Sequence, residues 1–417
     1  MSRRRALAVV AVLVLALSAC QRQAATPASS VAQGRLTRTV RDGRGVDVQI
    51  PRDVRRIATI SDGLVEAVLL AVTAPVEIVA VGSTCLTRDF SYTFETRDGQ
   101  RYAYQGGKTP AAVLWPALQQ APVVAMSGTE INLEQLARTA PDVLLIHAGC
   151  CTTNWRADDR ARMAPTLARL EALGIPTVVL AGPHFSGHPS DEAFVSAIRT
   201  IGDVVDRGTA AEALTVTLAN EVAWIRERTA VASEAERPRV LIFGLSPAVR
   251  RQGGAGTVSG RRSIESWLLE RVAHARNAFD DDSYSREVNA EHVLALDPDA
   301  VLLPTASGFH PTREILEGPA FSTLREMPAL QQARVASLPW TPCNCDKRLE
   351  YPLDALVMAK LAYPDRFRDV DVATHAEAFF SRVYGVDAIV ARSLRRALWI
   401  DDPSASSAAS SSSPGVR

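Results

Sequence analysis

The sequence predicts an α/β protein of two Rossmann-like lobes with mainly parallel sheets, joined by a long rigid helix, with a ligand cleft between the lobes. Three observations carry this. Short apolar runs alternate with helix-period segments on both sides of the middle of the chain, the pattern of open parallel sheets. Residues 191–230 contain no such run and show helical spacing instead, with Leu214, Leu218, Val222 and Ile225 at steps of four, four and three. One string also recurs: Asn132-Leu133-Glu134 with Ala140-Pro141-Asp142-Val143-Leu144-Leu145 is echoed by Asn289-Ala290-Glu291 with Asp297-Pro298-Asp299-Ala300-Val301-Leu302.

In order, Thr39 to Pro51 reads as a hairpin about Asp42-Gly43, and Arg56 to Ile60 as a buried strand. Ser61-Asp62 then provides an N-cap for a helix from Leu64 to Val72. Glu77 to Val81 is a strand whose exit loop carries Cys85. Phe90 to Gln105 places Tyr92 and Phe94 on one arm and Tyr102 and Tyr104 on the other side of Asp98-Gly99, which predicts a β-hairpin. Two readings of it stand: a surface hairpin held by cross-strand aromatic pairs, or a lid that offers rings to a ligand. A strand is expected over Ala121 to Met126, a short helix from Asn132, a strand over Val143 to His147, a helix from Asp158 to Leu173 stopped at Gly174, and a strand over Thr177 to Leu180. The second half gives strands at Val240 to Leu245, Ala300 to Leu303 and Val335 to Leu338. Its helices are expected at Ile264 to Ala275, Ala290 to Leu296 and Leu349 to Leu361.

The expected organisation is a signal segment 1–20, a tether 21–35, an N-terminal lobe 36–188, a connecting helix 189–233, a C-terminal lobe 234–400 and a disordered tail 401–417. Arg3 to Arg5, the apolar run Ala6 to Leu17 and Leu17-Ser18-Ala19-Cys20 have the layout of an export signal and resemble a bacterial lipobox, which implies lipid attachment to Cys20. No other uninterrupted apolar run reaches the roughly 18 residues that a spanning helix needs. The expectation is therefore a lipid-anchored protein of the cell envelope, with no covalent cofactor apart from that lipid. Lysine plus arginine and aspartate plus glutamate balance at 46 each, so no global field draws the chain to nucleic acid.

In open parallel sheets, ligands bind outside the carboxyl ends of the strands. Cys85, the pair Cys150 and Cys151, and Cys343 with Cys345 all fall just past such ends, as do His184 and His310. Trp155 and Trp340 lie beside the thiols. These nine residues form the expected ligand site, with the five cysteines as its metal candidates. Arg250, Arg251, Arg261 and Arg262 flank a glycine-rich stretch and suit either a chelator's carboxylates or solvent.

The chain from about Arg41 to Phe367 resembles the ABC-importer binding proteins for iron siderophores, haem and cobalamin. The resemblance is carried by Val46-Asp47-Val48-Gln49-Ile50-Pro51, by the two repeated units, and by Arg348-Leu349-Glu350-Tyr351-Pro352 through Met358-Ala359-Lys360-Leu361-Ala362-Tyr363-Pro364. It implies a metal complex as transport ligand, an inner-membrane permease as partner, and Glu134 and Glu291 as the residues that dock on it. The cysteine set departs from the family pattern. Thiolates from both lobes would suit a thiophilic metal ion. Disulfides would merely shape the loops, for example as a vicinal Cys150 to Cys151 bond; in a third reading Cys85 bonds to one of that pair and the remaining thiols are free. The rival class is an enzyme, but Cys-x-x-Cys, Gly-x-Ser-x-Gly and His-Glu-x-x-His are absent from the sequence, and Gly254-x-Gly256 with Gly260 has the wrong spacing for a dinucleotide loop.

Overall fold

A computed structural model describes residues 36–126, 130–149, 152–153, 155, 160–185, 189–230, 233–305, 309–342 and 347–400. The expected signal, tether and tail lie outside these residues, as do Cys20, Cys150, Cys151, His188, Cys343 and Cys345.

The chain enters through an antiparallel hairpin, β1 (Thr37–Arg41) and β2 (Asp47–Pro51). Asp42 is buried in its turn and accepts the backbone N–H groups of Arg44 and Val46. Its other oxygen accepts Val179 N–H at 3.1 Å, and Gly43 N–H donates to Val179 O at 2.7 Å. A Cβ at Gly43 would lie 2.5 Å from Ala181 N, so only glycine allows this approach.

Next come β3 (Arg56–Ile60), helix α1 (Leu64–Ala71), β4 (Glu77–Val81), the hairpin β5 (Phe90–Glu95) and β6 (Arg101–Gly107), α2 (Leu133–Arg138), β7 (Val143–Ala148), α3 (Arg160–Ala172) and β8 (Thr177–Ala181). The sheet order is β4-β3-β7-β8, all parallel. The strand expected over Ala121 to Met126 shrinks to a single bridge between Val81 and Val123. Pro122 has no N–H to give a ladder there. The expected N-cap also differs: Gly63 occupies that position, while the Ser61 hydroxyl accepts the N–H groups of Gly63 and Val65.

The connecting segment is two helices, α4 (Asp191–Val204) and α5 (Gly208–Thr229), with the break just before Gly208. Leu214, Leu218, Val222 and Ile225 are all buried. The second lobe contains β9 (Arg239–Gly244), β10 (Gly256–Ser259), α6 (Ile264–Arg271), β11 (Arg276–Asn277), β12 (Ser285–Val288), α7 (Ala290–Ala295), β13 (Ala300–Leu303), β14 (Val335–Ser337) and α8 (Tyr351–Ala362). Strands β9, β11, β13 and β14 pair in parallel, whereas β10 and β12 extend the sheet antiparallel. The strands absent from the sequence expectation, β10, β11 and β12, are two to four residues long and carry little apolar pattern. Helices α9 (Val372–Tyr384) and α10 (Ala388–Ala397) close the described chain.

The repeated string is a repeated structure. Asn132 and Asn289 each cap a short helix by accepting an N–H three residues on, at 3.0 and 2.9 Å. Ala140 and Asp297 both take left-handed backbone, with φ of 44° and 40°. Arg56 and Arg239, the first residues of β3 and β9, donate to the carbonyls of Thr139 and Ala140, and of Leu296 and Asp297. Asp142 and Asp299 accept N–H groups from the start of the same strands.

Strand periodicity divides the core. In β3, β7, β9 and β13, Ile57, Val143, Leu145, Val240, Ile242, Ala300 and Leu302 enter one apolar cluster that also takes in α4, α5 and α8. The alternate residues serve one lobe each: Ala58, Leu144 and Ile146 in the first, Leu241, Phe243 and Val301 in the second.

Asp142 is buried and accepts Arg55 N–H and Arg56 N–H, both at 2.9 Å, whereas the exposed Asp299 accepts Arg239 N–H alone. Asp142→Ala is expected to cost about 2–4 kcal/mol and Asp299→Ala about 1 kcal/mol. Urea denaturation measures both, and equal losses would contradict the role given to burial.

Candidate functional site

The carboxyl ends of both sheets feed loops that meet at a buried guanidinium. Arg348 follows β14, yet its Nε donates to the carbonyl of Asp62, just past β3, at 2.5 Å, and its Nη2 donates to Pro342 O. Asp62 Oδ1 accepts the hydroxyl of Thr152, from the loop after β7, at 2.9 Å. Gly63 makes room for this: its φ is 123°, and a Cβ there would stand 2.6 Å from Arg348 Nε. The arginine thus ties the ends of β3 and β14 across the two lobes, and Asp62 links the loop after β7 to them.

Around it lie Asp62, Glu66 and Glu350, all buried. Glu66 accepts from the Thr59 hydroxyl, yet burial dominates and pushes its carboxyl up to about 7. Burial likewise raises Glu350, against the hydrogen bond from Tyr384 and the charge of Arg348. It lowers Arg348, opposed by the charges of Asp62, Glu350 and Glu66. Four atoms of this cluster, Asp62 Oδ2, Glu66 Oε2, Glu350 Oε2 and Arg348 Nη1, are buried without a hydrogen-bond partner. Beside it, Lys347 Nζ lies 2.9 Å from both Glu265 Oε1 and Asp354 Oδ2. Burial alone would lower that ammonium, but its two carboxylates outweigh burial and hold it up.

The aromatic hairpin crosses to the second lobe. Phe90 packs on Trp340 at 5.1 Å, Tyr104 on Phe309 at 4.9 Å, and Trp340 on Trp399 at 4.5 Å between ring centroids. Tyr92 donates to Glu314 Oε2 at 2.6 Å, and burial together with that carboxylate pushes its phenol far above the usual range. Trp399 Nε1–H donates to Gln105 O, and Arg97 N–H to Glu317 O. Between hairpin and lobe is a cavity of about 430 Å³ that includes Tyr92, Phe94, Arg250, Glu314 and Phe321 in its wall. A second, of about 790 Å³, is bounded by Tyr104, Phe309, Leu338, Val357, Leu361 and Trp399.

The described members of the expected site fall into different settings. Cys85 is buried in a 3-10 turn after β4 and is disulfide-bonded, one of the alternatives expected for it beside thiolate ligation; a sulfur shared in a disulfide carries no thiolate charge. Trp155 packs, half-buried, on the first lobe's own core. His184 Nε2 accepts Ile264 N–H at 3.3 Å and its ring meets Tyr284 edge-on, so it joins the loop after β8 to the start of α6. His310 is buried with Nδ1 3.4 Å from Tyr92 Oη and 3.6 Å from Glu314 Oε2. Trp340 is buried in the aromatic cluster. Among the flanking arginines, Arg250 pairs with Glu314 at 3.5 Å over the ring of Phe321, and Arg261 with Asp280 at 2.8 Å. Glu134 and Glu291 are both exposed in the first turns of α2 and α7, Glu134 with Arg138 at 2.6 Å. Among the described residues no group of three or more His, Cys, Asp or Glu side chains is placed to hold a metal ion.

Sequence reasoning missed the carboxylate half of the buried cluster, having read Asp62 as a cap and passed over Glu66. The signal was there: both are acids inside Ile57-Ala58-Thr59-Ile60-Ser61-Asp62-Gly63-Leu64-Val65-Glu66-Ala67-Val68-Leu69-Leu70, a stretch too apolar to be a solvated face.

No curated protein matches the sequence. Among solved structures, a periplasmic solute-binding protein from Veillonella parvula is 21% identical with a TM-score of 0.60, over 84% of this chain and 94% of that one. The molybdate periplasmic binding protein of Haemophilus influenzae, bound to molybdate, is 18% identical with a TM-score of 0.61, over 84% and 98%. A Helicobacter pylori protein with Ni(II) bound is 15% identical with a TM-score of 0.56, over 85% and 99%. These likenesses show the two-lobed fold. The family model described as periplasmic binding protein matches residues 68–341, well over half of the sequence, and the chain belongs to that family, the solute-binding proteins of ABC importers.

Proposed function

We propose that this protein is the lipid-anchored solute-binding component of an ABC importer, which captures a metal complex between its lobes and delivers it to the permease. The observation that carries the reading is the repeated unit. Each lobe has an Asn-capped helix whose first turn exposes one acid, Glu134 in the first lobe and Glu291 in the second, so each lobe offers the permease one carboxylate. The anchor rests on Leu17-Ser18-Ala19-Cys20 behind an arginine-led apolar run, with envelope placement following from it. The metal complex, of iron-siderophore, haem or cobalamin type, rests on the sequence resemblance, and relatives of the same fold carry molybdate and Ni(II). Disulfide bonding of Cys85 favours this reading over direct capture of a thiophilic ion by the full cysteine set. Because both sheets share one core, binding involves limited closure.

Native mass spectrometry with metal analysis, on protein taken from its own cell envelope, is expected to find a metal-containing small molecule; recovery of a purely organic sugar or peptide would overturn the assignment. Replacing Glu134 and Glu291 together with alanine is expected to lower uptake by at least about tenfold, equivalent to ~1.4 kcal/mol, with solute binding unchanged. Normal uptake in that double variant would sink the docking role. Of the five cysteines that follow Cys20, thiol titration of the denatured, unreduced mature chain is expected to count at most three. A count of five would remove the disulfide.

A further inference from the structure

Buried carboxyl groups without a full set of partners sit at the seam between the lobes, and they share one guanidinium. Arg348 belongs to the second lobe; the carbonyl it grips and two of the acids around it, Asp62 and Glu66, belong to the first. Glu66 Oε2 and Arg348 Nη1 are buried without a hydrogen-bond partner, so the cluster is closed to water yet incompletely satisfied. The geometry points to a proton-operated latch between the lobes: with Glu66 neutral, Arg348 holds the ends of β3 and β14 together, and with Glu66 ionised the seam admits water and the lobes loosen.

The charge count gives the direction. Arg348 supplies one positive charge, Asp62 already stands against it, and its hydrogen bonds go to the carbonyls of Asp62 and Pro342. A further acid ionised in the same dry volume gains little from a cation engaged elsewhere; burial of its charge is the main reason its carboxyl is raised, and repulsion from Asp62 adds to it. Hydration is the remaining way to accommodate its charge, and the hydration path is the seam. In linkage terms, Glu66 holds its proton in the folded chain from the usual carboxylate range up to about 7. The unfolded or opened chain loses that proton earlier. The latch is therefore fully set at acid pH and is lost as pH rises through 7.

Other groups near Glu66 do not substitute for it. Helix α1 packs against β7, the short helix Pro110–Leu114, α4 and α9. From β7 comes His147, on the strand face of Val143 and Leu145; from α9 comes Tyr384, which donates to Glu350. Residues 110–114 bring no titratable side chain. On α4, Arg199 pairs with Glu212 and Asp191 with Arg226, while Glu192 and Asp203 are exposed. The latch concerns the lobes alone and stands whatever solute the cleft takes.

Amide hydrogen exchange of the ligand-free mature protein between pH 6 and 8.5, corrected for intrinsic exchange, tests it. The amides of Gly63 and Val65 in the first lobe, and of Tyr351 and Leu353 in the second, report on the two sides of the seam. Protection on both sides is expected to fall together by at least about tenfold across neutrality. Glu66→Gln, which keeps the shape but cannot ionise, is expected to hold its protection constant. Thr59→Val removes the hydrogen bond that pulls the Glu66 carboxyl down, so its transition is expected at higher pH. An unaltered pH response in Glu66→Gln would assign the effect to His147 or another group and overturn the latch. So would loosening confined to Gly63 and Val65, or a Thr59→Val transition that does not move.

Discussion

The constraint on which the rest of the molecule depends is that two sheets bury alternate faces in one apolar cluster. Ile57, Val143 and Leu145 on one side and Val240, Ile242 and Leu302 on the other belong to one continuous cluster of buried apolar side chains with those of α4, α5 and α8. Interiors of this density resist shear, since sliding one wall opens voids along its length. The lobes therefore behave as one body at their base and have freedom only where their outer loops meet.

At that outer end the contacts change character. Arg348, Asp62, Glu66 and Glu350 replace hydrocarbon with charge in a dry setting, and His184 and the Tyr92–Glu314 pair add further polar ties across the lobes. Removing one member of such a group leaves another charge buried and uncompensated, which makes these ties costly to break and demanding in geometry. They hold position more than they stabilise. The aromatic hairpin works at the same level: its rings leave their own lobe and complete the wall of the other.

Most of the fold was legible because it rests on local periodicity. Strands β3, β4, β7, β8, β9, β13 and β14 are short apolar runs, and the Asn-capped units keep the same Asn-x-Glu and Pro-Asp at the same spacing. Strands β10, β11 and β12 escaped because their ladders depend on neighbours distant in sequence and not on their own pattern. The two readings of the hairpin could not be separated either, since strand alternation places Tyr92 and Tyr104 on one face without saying what that face meets. Thiol position was legible and thiol state was not: a cysteine in a loop looks the same whether it is bonded or free, and the disulfide of Cys85 depends on spatial approach. Arg348 was visible as part of a family string, but its first-lobe partner, Asp62, lies 286 residues away in the chain, beyond any local pattern.

The hairpin at the start of the fold bears on how such a protein survives crowding by copies of itself. An open parallel sheet ends in unpaired backbone groups that template the strands of neighbouring molecules. Here each edge is blunted by a different device. Asp42 and Gly43 occupy the backbone of Val179 on β8, and Pro122 with Val124 occupies that of Val81 on β4. Strand β12 exposes Arg286 and Glu287, and β14 is three residues long. A chain crowded among copies of itself is thereby denied the lateral strand exchange that would convert neighbours into aggregate.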